Sequence, residues 1–400
     1  MRKPYLYLAI NIGLVILLAI SGCKKVDGTD NDQVIETPFT VFFSDISGAV
    51  YSSSDGSTIG KQLFEADRYP CRAFCVAYDN ILFTKKNLYI SADNGKSFNH
   101  SYDSVGFYPG IACNNYKFDL NQSMLMFIPS WNYVYVVNDN DDFNNIMGLS
   151  YNLYGGSQGN WYLDIPDSLG FIGHRQDLNY VIRVTSLTLL RDDTLCAYDA
   201  NNNRCFYRTK STLWNECTAN PNASGWPGIG DPADYSGNPL PHHVAYSATG
   251  DPYYRDSPDT TAWYSYGHYN NRLIAIDVKN CNGNGAYYSD DRGRNWTQFS
   301  GLPSVPLLCM ESPFEEVALI GTQGAGLYIL NTNTNSWQQV TNGGLGGNLT
   351  VTSIVGKQRI YKNGKVQRYI FIATDKGIYQ SLDGGVSWTQ TRAGSFSAIF

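Results

Sequence analysis

Seven carboxylates in this sequence have the type and setting for acid–base work: Asp164, Asp167, Asp177, Asp231, Asp251, Asp256 and Glu311. Two of them held about 5–10 Å apart across a cleft could open a glycosidic bond, one as acid and the other as base or nucleophile. Their spacing pairs none of them, and solvated loop carboxylates account equally well for each. A second group is aromatic. Tyr151, Tyr154, Trp161 and Tyr162 stand with His174 in one stretch, and Trp226, Tyr235, His242, His243, Tyr246, Tyr253, Tyr254 and Trp263 in another. Rings of this kind stack on the apolar faces of sugars while their polar tips reach hydroxyls. The alternative is that the rings bury one another as a plug. A metal is not expected: neighbouring residues such as His242 and His243 point apart on an extended chain, and Asp139-Asn-Asp-Asp142 lacks the spacing of a calcium loop. No cofactor is implied.

The elements that must position these residues are short strands joined by turns. Ser91-Ala-Asp-Asn-Gly-Lys-Ser-Phe98, Ser289-Asp-Asp-Arg-Gly-Arg-Asn-Trp296 and Ser381-Leu-Asp-Gly-Gly-Val-Ser-Trp388 share the pattern Ser-x-Asp-x-Gly-x-x-aromatic. Each follows a β-type run and precedes another, which is strand, turn, strand. Ser91, Ser289 and Ser381 with Asp93, Asp291 and Asp383 can bond the amides of their own turns. Gly95, Gly293 and Gly385 supply positive φ, and Phe98, Trp296 and Trp388 fold back onto the sheet. This pattern resembles the Asp-box, or bacterial neuraminidase repeat, a structural device that implies a β-propeller and not a particular activity.

Degenerate copies at Tyr51–Gly56, Tyr133–Phe143, Phe206–Trp214 and Leu327–Trp337 bring the units to seven. At about 54 residues each they suit four-stranded blades. The expectation is therefore an all-β chain: a single seven-bladed propeller of four-stranded antiparallel blades over residues 38–400. The final run Ser395–Phe400 is expected to add the innermost strand of the first blade and so close the ring. Two long inserts, 148–180 and 219–262, carry the aromatic groups and are expected on the face opposite the Asp-box turns. That face is the expected ligand site, formed by Tyr154, Trp161, Tyr162, His174, Trp226, His242, His243, Tyr253, Tyr254 and Trp263.

The N-terminus has another chemistry. Arg2 and Lys3 precede an apolar run from Leu6 to Ile20, which ends at Ile20-Ser-Gly-Cys23. The run is short for a membrane span of roughly 20 residues and is followed by small residues. Ile-Ser-Gly-Cys resembles the bacterial lipobox, which implies a signal peptide over 1–22, a diacylglycerol thioether on Cys23, and a cell-envelope location, at the outer membrane, facing the periplasm or the outside. Residues 23–37 are polar and Asp-containing and read as a flexible tether.

The net charge of −6 argues against nucleic acid as a partner. The chain is expected to be a monomer that binds a glycan, with glycoside hydrolysis or protein assembly as the other readings. Arg68-Tyr69-Pro70, ahead of Ser91, resembles the Arg-x-Pro signature of sialidases, which implies an arginine cluster for a substrate carboxylate. Arg183 and Arg272 lie near strands but are not assigned to it, the aliphatic residue between Arg and Pro is missing, and sialidases have six blades. Cys196 and Cys205 flank a turn and could face each other across a hairpin.

Overall fold

The computed structural model describes residues 39–71, 73–85, 88–100, 124–137, 149–153, 161–163, 184–199, 204–212, 215–216, 264–278, 285–341 and 343–400. The signal segment, Cys23 and the tether lie outside them, as do residues 148, 154–160 and 164–180 of the first expected insert and all of the second, 219–262.

The chain is an all-β propeller of four-stranded antiparallel sheets, all but the first built in sequence order. The first contains β1 (Val41–Asp45), β2 (Val50–Ser53) and β3 (Lys61–Phe64); the second β4 (Ala73–Ala77), β5 (Asn80–Thr84), β6 (Leu88–Ser91) and β7 (Asn99–His100). The third contains β8 (Met124–Ile128), β9 (Tyr133–Val137), β10 (Leu149–Leu153) and β11 (Trp161–Leu163); the fourth β12 (Val184–Leu189), β13 (Leu195–Asp199), β14 (Arg204–Arg208) and β15 (Asn215–Glu216). The fifth contains β16 (Tyr264–Tyr269), β17 (Arg272–Asp277), β18 (Ala286–Ser289) and β19 (Thr297–Gln298). The sixth contains β20 (Leu307–Phe314), β21 (Val317–Thr322), β22 (Leu327–Asn331) and β23 (Ser336–Gln339). The seventh contains β24 (Val351–Ile360), β25 (Val366–Thr374), β26 (Gly377–Ser381) and β27 (Thr389–Ala393). The last strand, β28 (Phe396–Ile399), lies in the first sheet, antiparallel to β1, with Phe43 opposite Ile399 and Ser44 opposite Ala398. Phe42 and Phe400 exchange two backbone hydrogen bonds of 2.7 Å.

Burial explains the composition of the strands. The second strand of a sheet has neighbours on both faces, so β5, β17 and β21 are almost wholly buried and read as continuous apolar runs rather than alternations. The fourth strands β15 and β19 are short and polar, and both residues of β19 are exposed. Each apolar core is shared between successive sheets. Phe42, Val50 and Ala398 meet Phe74, Ile81 and Phe83, and Leu82 and Cys75 meet Leu125 and Val134. Trp131 and Tyr135 meet Leu187, Ala197 and Phe206, and Tyr198 and Cys205 meet Tyr264, Tyr266 and Trp296. Ile274 and Ile276 meet Leu307, Ile320 and Trp337, and Leu319 and Leu327 meet Ile370, Ile372 and Trp388. Between the seventh sheet and the first, the Thr391 hydroxyl donates to the Gly56 carbonyl (3.0 Å) and the Ser353 hydroxyl to that of Ile399 (2.9 Å).

The chain divides into two compact units, residues 40–357 with 368–400, and residues 1–39 with 358–367. The first holds the cores just named. In the second, the Arg359 guanidinium lies 4.7 Å from the centre of the Phe39 ring, and the Gly364 amide donates to the Tyr361 carbonyl (2.9 Å).

Two expectations change. Part of the stretch 148–180 is sheet: β10 pairs with β9, and β11 with β10, through Tyr151 opposite Tyr162 and Asn152 opposite Trp161. The alternation Leu149-Ser-Tyr-Asn-Leu153 is a period of two, which belongs to a strand. Cys196 and Cys205 are not opposite each other either. Cys196 faces Tyr207 and Cys205 faces Tyr198, one step diagonal, and both are buried free thiols.

Candidate functional site

In an antiparallel sheet of four strands, the hairpin between strands one and two and the turn between strands three and four leave from the same end. The Ser-x-Asp-x-Gly turns are of the second kind. Ser91, Ser289 and Ser381 donate to Asp93, Asp291 and Asp383 at 2.8, 2.7 and 2.8 Å. The same hydroxyls accept from the amides of Gly95, Gly293 and Gly385 at 2.8, 2.7 and 2.9 Å. Hydrogen bonds from the Ser97 hydroxyl and amide hold the Asp93 carboxyl well below the usual carboxylate range. The indoles of Trp296 and Trp388 donate to the carbonyls of Gly293 (2.8 Å) and Gly385 (2.9 Å), and Phe98 packs on Phe83 with ring centres 5.0 Å apart. The degenerate copy at Ser53 makes the same hydroxyl bridge, to Asp55 (2.9 Å) and from Gly56 (2.8 Å), with one residue fewer in the turn.

The one-to-two hairpins on this end are linked sheet to sheet. Tyr78 donates to Asn132 (2.9 Å), and Ser130 and the Trp131 indole donate to Asp193 (2.6 and 2.8 Å). Arg191 donates to Asn270 (3.2 Å) and pairs with Glu315. Arg292 pairs with Asp192 (3.2 Å). Such exposed contacts contribute about 0–1 kcal/mol each, so they set the rim's geometry more than its stability.

Inside this rim is a cavity of about 580 Å³, lined by residues of β8, β12, β16 and β20, the first strands of four successive sheets. Its apolar lining includes Leu125, Met126, Leu187, Leu189, Met310 and Phe314; its polar lining includes Thr188, Arg191, Asp193, His268, Glu311 and Glu315. Residues of the first-strand hairpins, Arg191, Asp193, Asn270 and Glu315, contribute to the lining, which places it toward the end that carries the Ser-x-Asp-x-Gly turns. Sequence reasoning set that face aside because it weighed the long inserts and not the first-strand ends.

Two titratable groups in the lining are shifted, both by burial. Burial pushes the Glu311 carboxyl up to about 7, against the opposing hydrogen bond from the Ser312 amide. Burial also lowers the His268 imidazole, whose Nδ1 lies 3.1 Å from the Thr188 hydroxyl. Near neutral pH the pair therefore presents a carboxyl on the edge of ionisation and an uncharged imidazole. No group of three or more metal-binding side chains occurs among the described residues.

Of the residues expected to bind ligand, Trp161 and Tyr162 lie on β11, the strand of the third sheet farthest from β8 and the cavity. Tyr154, His174, Trp226, His242, His243, Tyr253, Tyr254 and Trp263 fall outside the described residues, as do Asp164, Asp167, Asp177, Asp231, Asp251 and Asp256. Glu311 is the carboxylate from that group that lines the cavity. Thr188, Arg191, Met310, Phe314 and Glu315 escaped sequence reasoning; polar residues interrupting an otherwise apolar first strand, as Thr188 and Glu311 do, were the available signal. Among the described residues, Arg68 and Arg272 have separate surroundings. Arg272 is held by Asp290 (2.7 Å), Asn335 (2.7 Å) and the Tyr288 ring. Arg68 sits between β3 and β4 with φ of 71°, and Arg183 is outside the described residues. The sialidase resemblance thus gains no carboxylate clamp from Arg272.

No helix among the described residues is long and apolar enough to cross a membrane. No family model matches the sequence, and no curated protein matches it. Among solved structures, the chain is similar to YCF48 from Cyanidioschyzon merolae, at 14% identity and a TM-score of 0.46, covering 84% of this chain and 89% of that one. It is similar to the extracellular domain of BT3049, a putative hybrid two-component system of B. thetaiotaomicron, at 13% identity and a TM-score of 0.49, covering 82% of this chain and 35% of that one. It is also similar to virginiamycin B lyase from Staphylococcus aureus, at 11% identity and a TM-score of 0.42, covering 76% and 92%. At these identities and scores the likeness carries nothing about ligand or activity.

Proposed function

We propose that this protein is an exported, lipid-anchored propeller that binds a glycan in the cavity at the first-strand edges. Its seven sheets act as the blades of one ring, with Asp-box turns on one face and β28 completing the first blade. Cys23 carries the lipid and holds the domain at the cell envelope, at the outer membrane. The observation that carries the binding reading is the cavity itself. About 580 Å³ lies within the range of small-molecule sites, and its apolar floor with a few converging polar groups is the usual make-up of one. The aromatic residues of 219–262, Trp226 foremost, supply a further proposed contact.

The test is affinity electrophoresis of the purified full chain against a polysaccharide panel, with soluble products assayed in parallel. Retention is expected without products, and is expected to weaken in Phe314→Ala; retention lost in Trp226→Ala but not in Phe314→Ala would move the site to the inserts. A second reading, glycoside hydrolysis, is favoured by one observation: Glu311 lines the cavity and burial lifts its carboxyl to about 7, in the range a general acid needs near neutrality. Released reducing sugar, abolished in Glu311→Gln, would put that reading first. Anchoring is checked by Cys23→Ala, which should move the protein out of the membrane fraction.

A further inference from the structure

The cavity has an unbalanced charge. Arg191 is committed to Glu315, and Asp193 accepts from Ser130 and Trp131. Glu311 has no ion-pair partner among the described residues; its carboxyl is met by the Ser312 amide. The Ser312 hydroxyl is occupied with the carbonyls of Phe314 and Val317 (3.2 and 3.1 Å). On the neighbouring sheet, His268 is engaged at Nδ1 by Thr188, which leaves Nε2 as a neutral group. Among the described residues, the lining therefore holds one cation, Arg191, against Asp193, Glu311 and Glu315.

Resting on the glycan reading above, we infer that the cavity selects an amine-bearing sugar, with Glu311 as counter-ion to the ammonium and Phe314, Tyr266 and Met310 around the ring. Physical chemistry supports the choice. A carboxylate drawn partly out of water without a cation is costly, and a ligand that brings the cation removes that cost. An N-acetylated or plain hydroxyl sugar offers Glu311 a hydrogen bond but no charge. The ammonium also ionises Glu311 on binding, so a proton leaves the site as the ligand enters below the carboxyl's free-state value of about 7.

The experiment is calorimetric titration of the purified full chain with glucosamine oligomers and with N-acetylglucosamine oligomers of equal length, repeated on Glu311→Gln. The amine oligomer should bind at least about tenfold tighter than the N-acetyl form, and Glu311→Gln should remove that difference. Proton release, read from the dependence of the heat on buffer ionisation at about pH 5.5, where the amine is already charged and Glu311 mostly protonated, should accompany only the amine ligand and vanish in Glu311→Gln. Equal binding of the two oligomers, or amine selectivity that survives in Glu311→Gln, overturns the inference and leaves glycan binding standing. Silence towards both oligomers, with retention on other polysaccharides, also overturns it; silence towards every glycan overturns both. A lysine-rich peptide that binds in the same Glu311-dependent way, where amine oligomers do not, would assign the ammonium to a protein and overturn the sugar.

Discussion

Individual side chains carry the sharpest expectations. Glu311 has a folded-state value of about 7 against an ordinary 4.5. The folded protein therefore binds more protons between those values, and stability falls as pH rises through that window, then levels off above it. The full loss has a ceiling on the order of 3 kcal/mol. Urea unfolding across this range should show the decline, and Glu311→Gln should flatten it and leave the variant the more stable protein above pH 7. A second expectation compares two indoles. Trp388 donates to Gly385, whereas the buried Nε1 of Trp337 has no hydrogen-bond partner. Phenylalanine removes similar volume at both, so Trp388→Phe should cost about 1 kcal/mol more than Trp337→Phe in equilibrium unfolding.

At the level of elements, the Ser-x-Asp-x-Gly turns were legible because hydroxyl, carboxylate and glycine are each dictated by the local chain, with no help from distant sheets. The third sheet was not. Asn138–Phe143 resembled a blade turn, so Leu149–Leu153 was read as loop although its own alternation is that of a strand. The diagonal placement of Cys196 and Cys205 depends on register, which composition does not reveal. Gly301 illustrates a constraint no pattern announces. Its φ is +88°, and a Cβ there would lie 2.1 Å from the Trp337 carbonyl oxygen of the next sheet. Gly301→Ala should thus destabilise by more than the roughly 1 kcal/mol typical of a glycine in a left-handed conformation, because backbone and not side chain must move. Thermal unfolding of that variant beside Gly324→Ala, also at positive φ but with open space around its Cβ, separates the two costs.

For the whole molecule, the arrangement of repeated sheets was readable from seven strand-turn-strand units, while the cavity was not. The inserts drew attention through their aromatic content, but the cavity arises where four first strands end together, and no contiguous segment contains it. The terminal strand gives the test at this scale. Removing residues 394–400 takes away β28, exposes the edge of β1, and strips Ala398 from the core shared with Phe74 and Phe83. The melting temperature should fall for the entire domain in one transition; an unchanged curve would show that β28 is dispensable.

The junction of the fifth and sixth sheets has a consequence for how the protein breathes. The Trp337 amide donates to the Ser300 carbonyl (2.9 Å), so a main-chain bond joins two sheets that otherwise meet through side chains. That amide can exchange with deuterated solvent only when the sheets part. Its exchange rate, set beside that of the Ile320 amide in the interior of β21, distinguishes separation of neighbours from loss of the fold. A faster rate at Trp337 would mean that the sheets part like leaves of a shutter while each stays intact.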